Sequence, residues 1–456
     1  MAAPIRQLDI VGLGISQTPV FTEATQACIA AADYVIGSER QLALLSVEEK
    51  PQQQQWIELP KLSELKALID DLASDKSVVV LASGDPLFYG IGRWFKQNFS
   101  EAFEQGRLCF HPAVSSIQAA CHRLGFSLQD TDVLSLHGRP LAKLRTQLKA
   151  NRTLAILTDQ HSNPMALAKE CKNAGFGDSR LTVCERLGYD DEQCRSFSAK
   201  ELVDSRGDGR VGNKGEFDPL HVTIIEVKGL GGVLPSFPGF ADTLFETGAE
   251  PGKGMISKRE VRLCILSYLE PNNDDVIWDI GAGCGGVAVE LAYWNEKAKV
   301  YAIEHHSERL KYLAINRERF GVVSNMHIVE GRAPACLTDL SKPTKVFIGG
   351  SDGALPELLA QCWELLPVGG ILVASAVIQS TKDQLNDFAE LLACSNDSGI
   401  STQAIIESTE VAVKRGQMVA GELVGGKQAD GKLVYQSKYP VTVFQYKKFQ
   451  FKKAAK

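Results

Sequence analysis

Long apolar runs are missing from this 456-residue chain. None approaches the roughly 20 residues that cross a bilayer, and the start, Met1-Ala-Ala-Pro-Ile-Arg-Gln-Leu8, lacks the basic stretch and apolar core of a secretion signal. No membrane role is expected, and the cytoplasm is the expected compartment. Surplus positive charge is missing too. The formal net charge is −6, without a basic stripe interleaved with aromatics, so neither nucleic acid nor an anionic membrane is an expected partner. The 11 cysteines form no C-x-x-C pair and no clustered His/Cys spacing, which argues against a disulfide framework or a zinc motif. Several (Cys28, Cys121, Cys264, Cys362) sit on apolar-periodic segments and read as reduced core thiols. No metal site is expected. No Ser/His/Asp or Cys/His constellation and no internal repeat stand out.

What is present is an ordinary globular composition, 44% hydrophobic and 23% charged, in a chain long enough for two or three domains. The stretch Gly229–Gly254 packs seven glycines and three prolines into 26 residues, a density that reads as a linker. The expected layout is a first domain at 1–228, a linker at 229–254, a second domain at 255–447 and a basic tail at 448–456. β-type and helical patterns alternate on both sides, so α/β domains with largely parallel sheets are expected. Gln52–Gln55 reads as loop, and the polar, glycine-rich break Arg206–Phe217 as a hairpin or surface loop. Ser257 with Glu260 reads as a capping box for the first helix of the second domain. Two closing β-like runs, Gln403–Val413 and Val441–Gln445, predict an antiparallel end to the second sheet.

The richest segment is Val276-Ile-Trp-Asp-Ile-Gly-Ala-Gly-Cys-Gly-Gly-Val287: an apolar strand, a glycine turn, then a helix. Glu304 ends the next strand, 21 positions past Gly283, where an acid accepts hydrogen bonds from ribose hydroxyls. The letters satisfy two codes. Gly281, Gly283 and Gly286 spell the dinucleotide pattern of a nicotinamide-dependent oxidoreductase. Gly281, Gly283 and Gly285 spell the pattern of S-adenosyl-L-methionine methyltransferases. The tight turn Leu365–Leu372 and the closing antiparallel pair favour methyl transfer, which needs little acid–base machinery because the donor is already electrophilic. In the first half, Gly84-Asp85-Pro86 follows the most apolar strand, at the carboxyl end where α/β sheets bind ligands. His111–Ser116 and His137–Arg139 are further strand-end loops.

Taken together, these motifs resemble two known families in tandem. Ile10–Gly14, Gly84–Pro86, Pro112–Ser116 and Leu134–Arg139 resemble the tetrapyrrole methylases. Ser257–Arg262, Trp278–Gly283, Glu330–Pro334 and Phe347–Gly350 resemble the decarboxylating precorrin methylases. The resemblance implies a two-lobed tetrapyrrole methylase domain followed by a Rossmann-like methyltransferase domain, with two S-adenosyl-L-methionine sites. It implies donor contacts at Gly84, Asp85, Pro86, Ser115 and Ser116 in the first half. In the second half it implies them at Asp279, Gly281, Gly283, Gly285, Glu304, Gly331, Arg332 and Ala333. The substrate would be a polycarboxylate tetrapyrrole, methylated at two carbons and decarboxylated, which makes the cationic His137, Arg139, Lys258, Arg259 and Arg332 substrate candidates. Gly12 and Gly14 would face substrate. A homo-oligomer is implied. One alternative is that the first domain only binds tetrapyrrole.

Overall fold

A computed structural model describes residues 6–45, 51–72, 75–204, 216–395, 402–419, 423–424, 427–428 and 432–450. Most of the break at Arg206–Phe217 and the last six residues of the basic tail lie outside them. The chain divides into two compact units, Met1–Val233 and Leu234–Lys456.

The first unit holds two five-stranded sheets. One contains β1 (Gln7–Gly12), β2 (Tyr34–Gly37), β3 (Gln55–Glu58), β4 (Ser77–Ala82) and β5 (Leu108–His111) in the order β3-β2-β4-β1-β5. All its pairings are parallel. The centre is β4, whose Val78-Val-Val-Leu-Ala82 run is buried, as expected of a strand covered on both faces. The second contains β6 (Thr131–Ser135), β7 (Thr153–Leu157), β8 (Arg180–Glu185), β9 (Gln193–Ser198) and β10 (His221–Glu226) in the order β6-β7-β10-β8-β9. Only β6 and β7 are parallel in it; β10 runs antiparallel to β7 and β8, and β9 antiparallel to β8. The expectation of largely parallel sheets therefore fails here. Part of the glutamine run read as loop also opens β3.

The second unit is built on one seven-stranded sheet. Its members are β11 (Val276–Ile280), β12 (Lys299–Glu304), β13 (Met326–Glu330), β14 (Lys345–Ile348), β15 (Ile371–Ala376), β16 (Thr402–Val411) and, after four short strands, the last strand. Those four are β17 (Lys414–Val419), β18 (Leu423–Val424), β19 (Lys427–Gln428) and β20 (Lys432–Ser437), and the last is β21 (Val441–Gln450). The order is β13-β12-β11-β14-β15-β21-β16, parallel as far as β15 and antiparallel beyond it. The closing antiparallel pair is thus present. The tail read from 448 begins inside β21, where Lys448 Nζ donates to the carbonyls of Trp363 (2.9 Å) and Leu366 (3.0 Å).

Much of the glycine- and proline-rich stretch is not a bare linker. Phe240 and Phe245 are buried and pack on Phe320 with ring centroids 5.2 and 4.9 Å away. The fully buried Arg262 ties the segment down. Its guanidinium donates to Asp242 Oδ1 (2.7 Å), Glu290 Oε1 (2.8 Å) and the carbonyls of Ser257 and Phe240. Glu290 accepts in turn from the Gly239 and Phe240 N–H groups (2.7 and 3.0 Å). A buried charge needs such saturation to be tolerated. This network also displaces the expected capping box. The Arg259–Leu269 helix has Lys258 at its N-cap without a side-chain cap bond. Asp242 Oδ1 accepts the Arg259 N–H (3.0 Å), and Glu260 pairs with Arg415 at 2.7 Å.

Candidate functional site

In the second unit the chain reverses sheet direction between β11 and β14, and a cleft of about 350 Å³ opens at the carboxyl ends of β11, β12 and β14. This is the place where an open α/β sheet binds ligands. Gly281, Gly283 and Gly285 all have positive φ, whereas Gly286 does not. The backbone thus uses the G-x-G-x-G triplet. A Cβ on Gly281 would stand 2.7 Å from the Gly350 backbone, and one on Gly283 would stand 2.6 Å from the Met255 carbonyl. Gly281 and Gly283 line the cleft; Gly285 lies behind it against Leu313.

The backbone donors of this turn are spoken for. The Gly281 and Ala282 N–H groups both donate to the Ile303 carbonyl (3.0 Å each), and the Cys284 N–H to the Met255 carbonyl (3.1 Å). Gly283 N–H donates to Glu304 Oε2 (2.9 Å), while Glu304 Oε1 accepts from the His305 and His306 N–H groups (2.8 and 2.9 Å). A carboxylate offers about four acceptor sites, so Glu304 is held rigid by three donors and keeps capacity for a hydroxyl in the cleft it lines. A pyrophosphate would find no free N–H cradle at this turn; a nucleoside bearing hydroxyls meets a fixed acceptor.

The other residues singled out in the sequence are spread around this cleft. Gly331, Arg332 and Ala333 line it, as does Lys258, whose ammonium donates to the Gly252 carbonyl at 2.9 Å. Burial holds the Lys258 pKa below the usual lysine range, with Asp242 pulling the other way. Arg259 is exposed and not among the lining residues. Asp279 lies beneath the cleft, 1% exposed, and burial pushes its carboxyl up to about 7, with Glu304 adding to the rise. Sequence reasoning missed His305 and Asp352, which meet at the rim; Arg332 lies 3.4 Å from the same carboxylate. Asp352 is held below the usual carboxylate range by that bond to His305.

In the first unit, the loops after β1 and β4 are joined by two backbone hydrogen bonds between Gly14 and Gly84 (3.3 and 3.0 Å). A Cβ on Gly12 would come within 2.7 Å of the Gly84 carbonyl. Asp85 fixes the turn from within: Oδ1 accepts from the Leu87 and Phe88 N–H groups (2.8 and 2.9 Å) and Oδ2 from Ala113 (3.2 Å). Ser115 caps the Ser116–Leu124 helix in a capping box with Gln118. These parts frame a cleft of about 210 Å³ lined by Gly14, Gly84, Asp85, Ser115 and Ser116; Pro86 stands outside its lining. A second cavity of about 510 Å³ shares Phe88, Tyr89 and His221 with it and carries Arg93, His137 and Arg139. Arg93 was not picked out from the sequence. Arg139 also donates to the Ser135 carbonyl (3.2 Å), and His137 Nδ1 lies 3.2 Å from the Thr158 carbonyl.

Comparison with known proteins matches residues 7–203 to the tetrapyrrole (corrin/porphyrin) methylases and residues 251–396 to the precorrin methyltransferase domain. A precorrin-6Y C(5,15)-methyltransferase [decarboxylating] of Sinorhizobium sp is 34% identical over 83% of this chain and 87% of its own length. The chain belongs to that family. It is therefore an S-adenosyl-L-methionine-dependent methyltransferase of cobalamin biosynthesis. A probable cobalt-precorrin-6B C(15)-methyltransferase (decarboxylating) of Saccharolobus solfataricus is 30% identical, spanning 39% of this chain and 85% of its own. A crystal structure of a precorrin-6y C5,15-methyltransferase from Geobacter metallireducens is 30% identical, covering 47% of this chain and 97% of its own, with a TM-score of 0.38. Among the described residues no helix is long and apolar enough to cross a membrane.

Proposed function

We propose that each unit holds its own S-adenosyl-L-methionine and that the two divide the reaction named for this family's members. The first unit methylates carbon 5 of a precorrin-6 macrocycle. The second methylates carbon 15 and releases carbon dioxide from an acetate side chain. The observation that carries the reading is the presence of a strand-end cleft in each unit, both built where the motifs of two methylase families lie. Relatives of about half this length bear the C(15) and decarboxylating name alone, which supports assigning those steps to the unit matched over 251–396.

S-adenosyl-L-methionine, when bound, supplies an electrophilic methyl carbon, so the chain's work is chiefly alignment. Gly281 and Gly283 leave room for close approach, Glu304 takes a ribose hydroxyl, and Gly331 to Ala333 border the base. In the first unit Gly14, Gly84, Ser115 and Ser116 border the donor, while Asp85 holds the loop in shape. Substrate carboxylates would meet Arg93, His137 and Arg139 in the wider cavity of the first unit, and Lys258 and Arg332 at the second cleft. Guanidinium groups suit this task because they bind carboxylates in a fixed fork.

The engaged backbone donors at Gly281–Cys284 weigh against a nicotinamide dinucleotide. Mass analysis of precorrin-6B incubated with the chain and S-adenosyl-L-methionine tests the proposal. Gain of two methyl groups with loss of one carbon dioxide is the expected product. A single methyl gain would leave one unit as a binding module only, and an unchanged mass would overturn the reading.

A further inference from the structure

Away from both clefts, one face of the β1–β5 pair carries polar residues where a helix covers it. Asp9 on β1 is the register partner of Cys109 on β5, and His111 lies two residues further along, so Asp9, Cys109 and His111 share a face. The Glu23–Ala31 helix brings Thr25 and Cys28 against them; Thr25 is the one buried residue of that helix. A helix packing on a sheet normally offers an apolar stripe. Here Ile29 packs on an apolar cluster with Val11 and Val79, but beside it hydroxyl, thiol, imidazole and carboxylate groups meet, and none of these polar residues lines either strand-end cleft or the adjoining cavity.

The geometry is that of a ligand set. One donor atom each from Asp9, Cys28 and His111 lies within 4.8 Å of the others, so small side-chain shifts bring them to the roughly 3–4 Å separations that follow from zinc bonds of about 2.0–2.3 Å in a tetrahedron. His111 Nε2 is 2.9 Å from Asp9 Oδ1, and Nδ1 is 3.3 Å from Thr25 Oγ1. The 2.9 Å contact is a hydrogen bond from Nε2–H to the Asp9 carboxylate; a cation between the two would take the place of that proton, which would move to Nδ1 and turn to the Thr25 hydroxyl. This is the way a second residue orients a metal-binding imidazole. Gln7 Nε2 donates to the same Asp9 oxygen at 3.2 Å, steadying the carboxylate.

We infer that Asp9, Cys28 and His111 form a divalent-metal site that takes Zn²⁺, with water at the fourth position. One carboxylate, one thiolate and a neutral imidazole balance the ion's charge, which suits a half-buried place. Binding replaces the Cys28 S–H bond with an S–metal bond and releases that proton to solvent. The ion would pin the Glu23–Ala31 helix to the sheet edge beside the loop that follows β1.

The test uses the full chain stripped with a chelator and titrated with Zn²⁺, and separately with Co²⁺ as a spectroscopic substitute. The expected result is about one metal per chain, a near-ultraviolet thiolate-to-cobalt band, and a rise in the chain's Tm with Zn²⁺. Cys28→Ser and His111→Gln should abolish the band and the Tm rise. Thr25→Ala, which removes only the orienting hydroxyl, should keep the band but weaken Zn²⁺ binding roughly 10–100-fold. Circular dichroism of the stripped variants, matching that of the stripped parent, shows that a lost response is not a lost fold. A stripped parent chain that takes up no metal, or a cobalt band and Tm rise undiminished in Cys28→Ser, would overturn the inference. Either outcome is independent of whether the chain methylates a precorrin.

Discussion

The two glycine loops that follow the first strands of the two units look alike in sequence and serve different neighbours. Gly12-Leu-Gly14 closes onto the Gly84 loop through paired backbone hydrogen bonds, and the acid of that loop, Asp85, is consumed in holding the turn. Gly281-Ala-Gly283 packs against Gly350 and Met255 and leaves an acid from the adjacent strand, Glu304, at the cleft wall. In both units the absent Cβ lets two backbones approach; a Cβ at Gly12 or Gly281 would stand 2.7 Å from the facing backbone. A strand-end G-x-G therefore reports close backbone approach before it reports a ligand. The proposed nucleoside site of the second unit rests on the acid beside it, and that of the first on the meeting of three loops.

The largest separation between the units should come from Arg262. Its removal leaves Glu290 buried without its cation and Asp242 with Arg415 alone, 3.2 Å away, which costs about 3–5 kcal/mol. Arg262→Ala should lower the melting transition of the second unit and leave that of the first in place, as read by hydrogen exchange on peptides from each unit. Equal loss in both would show that the units do not stand apart energetically. Next come the matched substitutions Gly281→Ala and Gly12→Ala. Each drives a Cβ into backbone 2.7 Å away, and at Gly281 the left-handed backbone adds about 1–2 kcal/mol of strain. Calorimetric titration with S-adenosylhomocysteine should fall from two equivalents to one in either variant, and to none in the double variant. Two equivalents surviving in both would break the two-cleft reading.

What the sequence made legible follows the range of the interactions involved. Local patterns came through as structure: the buried strands β4 and β11, the glycine turn after β11, and the placing of Glu304 at the end of β12 and of the Gly84–Pro86 loop after β4. Interactions that depend on distant partners did not. The capping box at Ser257 fails because Glu260 has a better partner in Arg415, 155 positions away. The 239–245 segment reads as linker because glycine and proline density hides two phenylalanines and an aspartate that find their partners only in the fold. Strands β3 and β9 carry polar, partly exposed residues at sheet edges, where the apolar signal is weakest. The direction of β10 against β7 is set by long connections that leave no local mark. His305 and Asp352 are 47 positions apart, and Asp9, Cys28 and His111 come from three segments, so spacing rules could not join either set.

Asp279 gives a smaller contrast, confined to the second unit. Its folded pKa, about 7, is raised above the ordinary aspartate value of 3.8. The folded state therefore holds a proton that the unfolded chain has given up across this window. Stability from this group is present below about pH 4 and declines as pH rises toward 7, at up to about 1.4 kcal/mol per unit. Asp279→Asn, which stays neutral, should flatten that slope in urea titrations between pH 4 and 7. An unchanged slope would place the proton elsewhere.

The smallest expected effect separates two roles at Ser115. The hydroxyl is 3.2 Å from the Gln118 N–H and caps the Ser116–Leu124 helix, and the residue is 4% exposed while still bordering the first-unit cleft. A capping hydroxyl is worth about 1 kcal/mol of stability. Ser115→Ala should therefore lower the first unit's unfolding free energy in urea titrations by about 1 kcal/mol and leave donor affinity within about threefold, since less than about 1 kcal/mol of binding would change. If affinity falls more than about tenfold with stability intact, the hydroxyl is a ligand contact first and a cap second. The first-unit cleft would then offer a side chain to its ligand as directly as we propose for Glu304 in the second, and the contrast between the two loops would narrow.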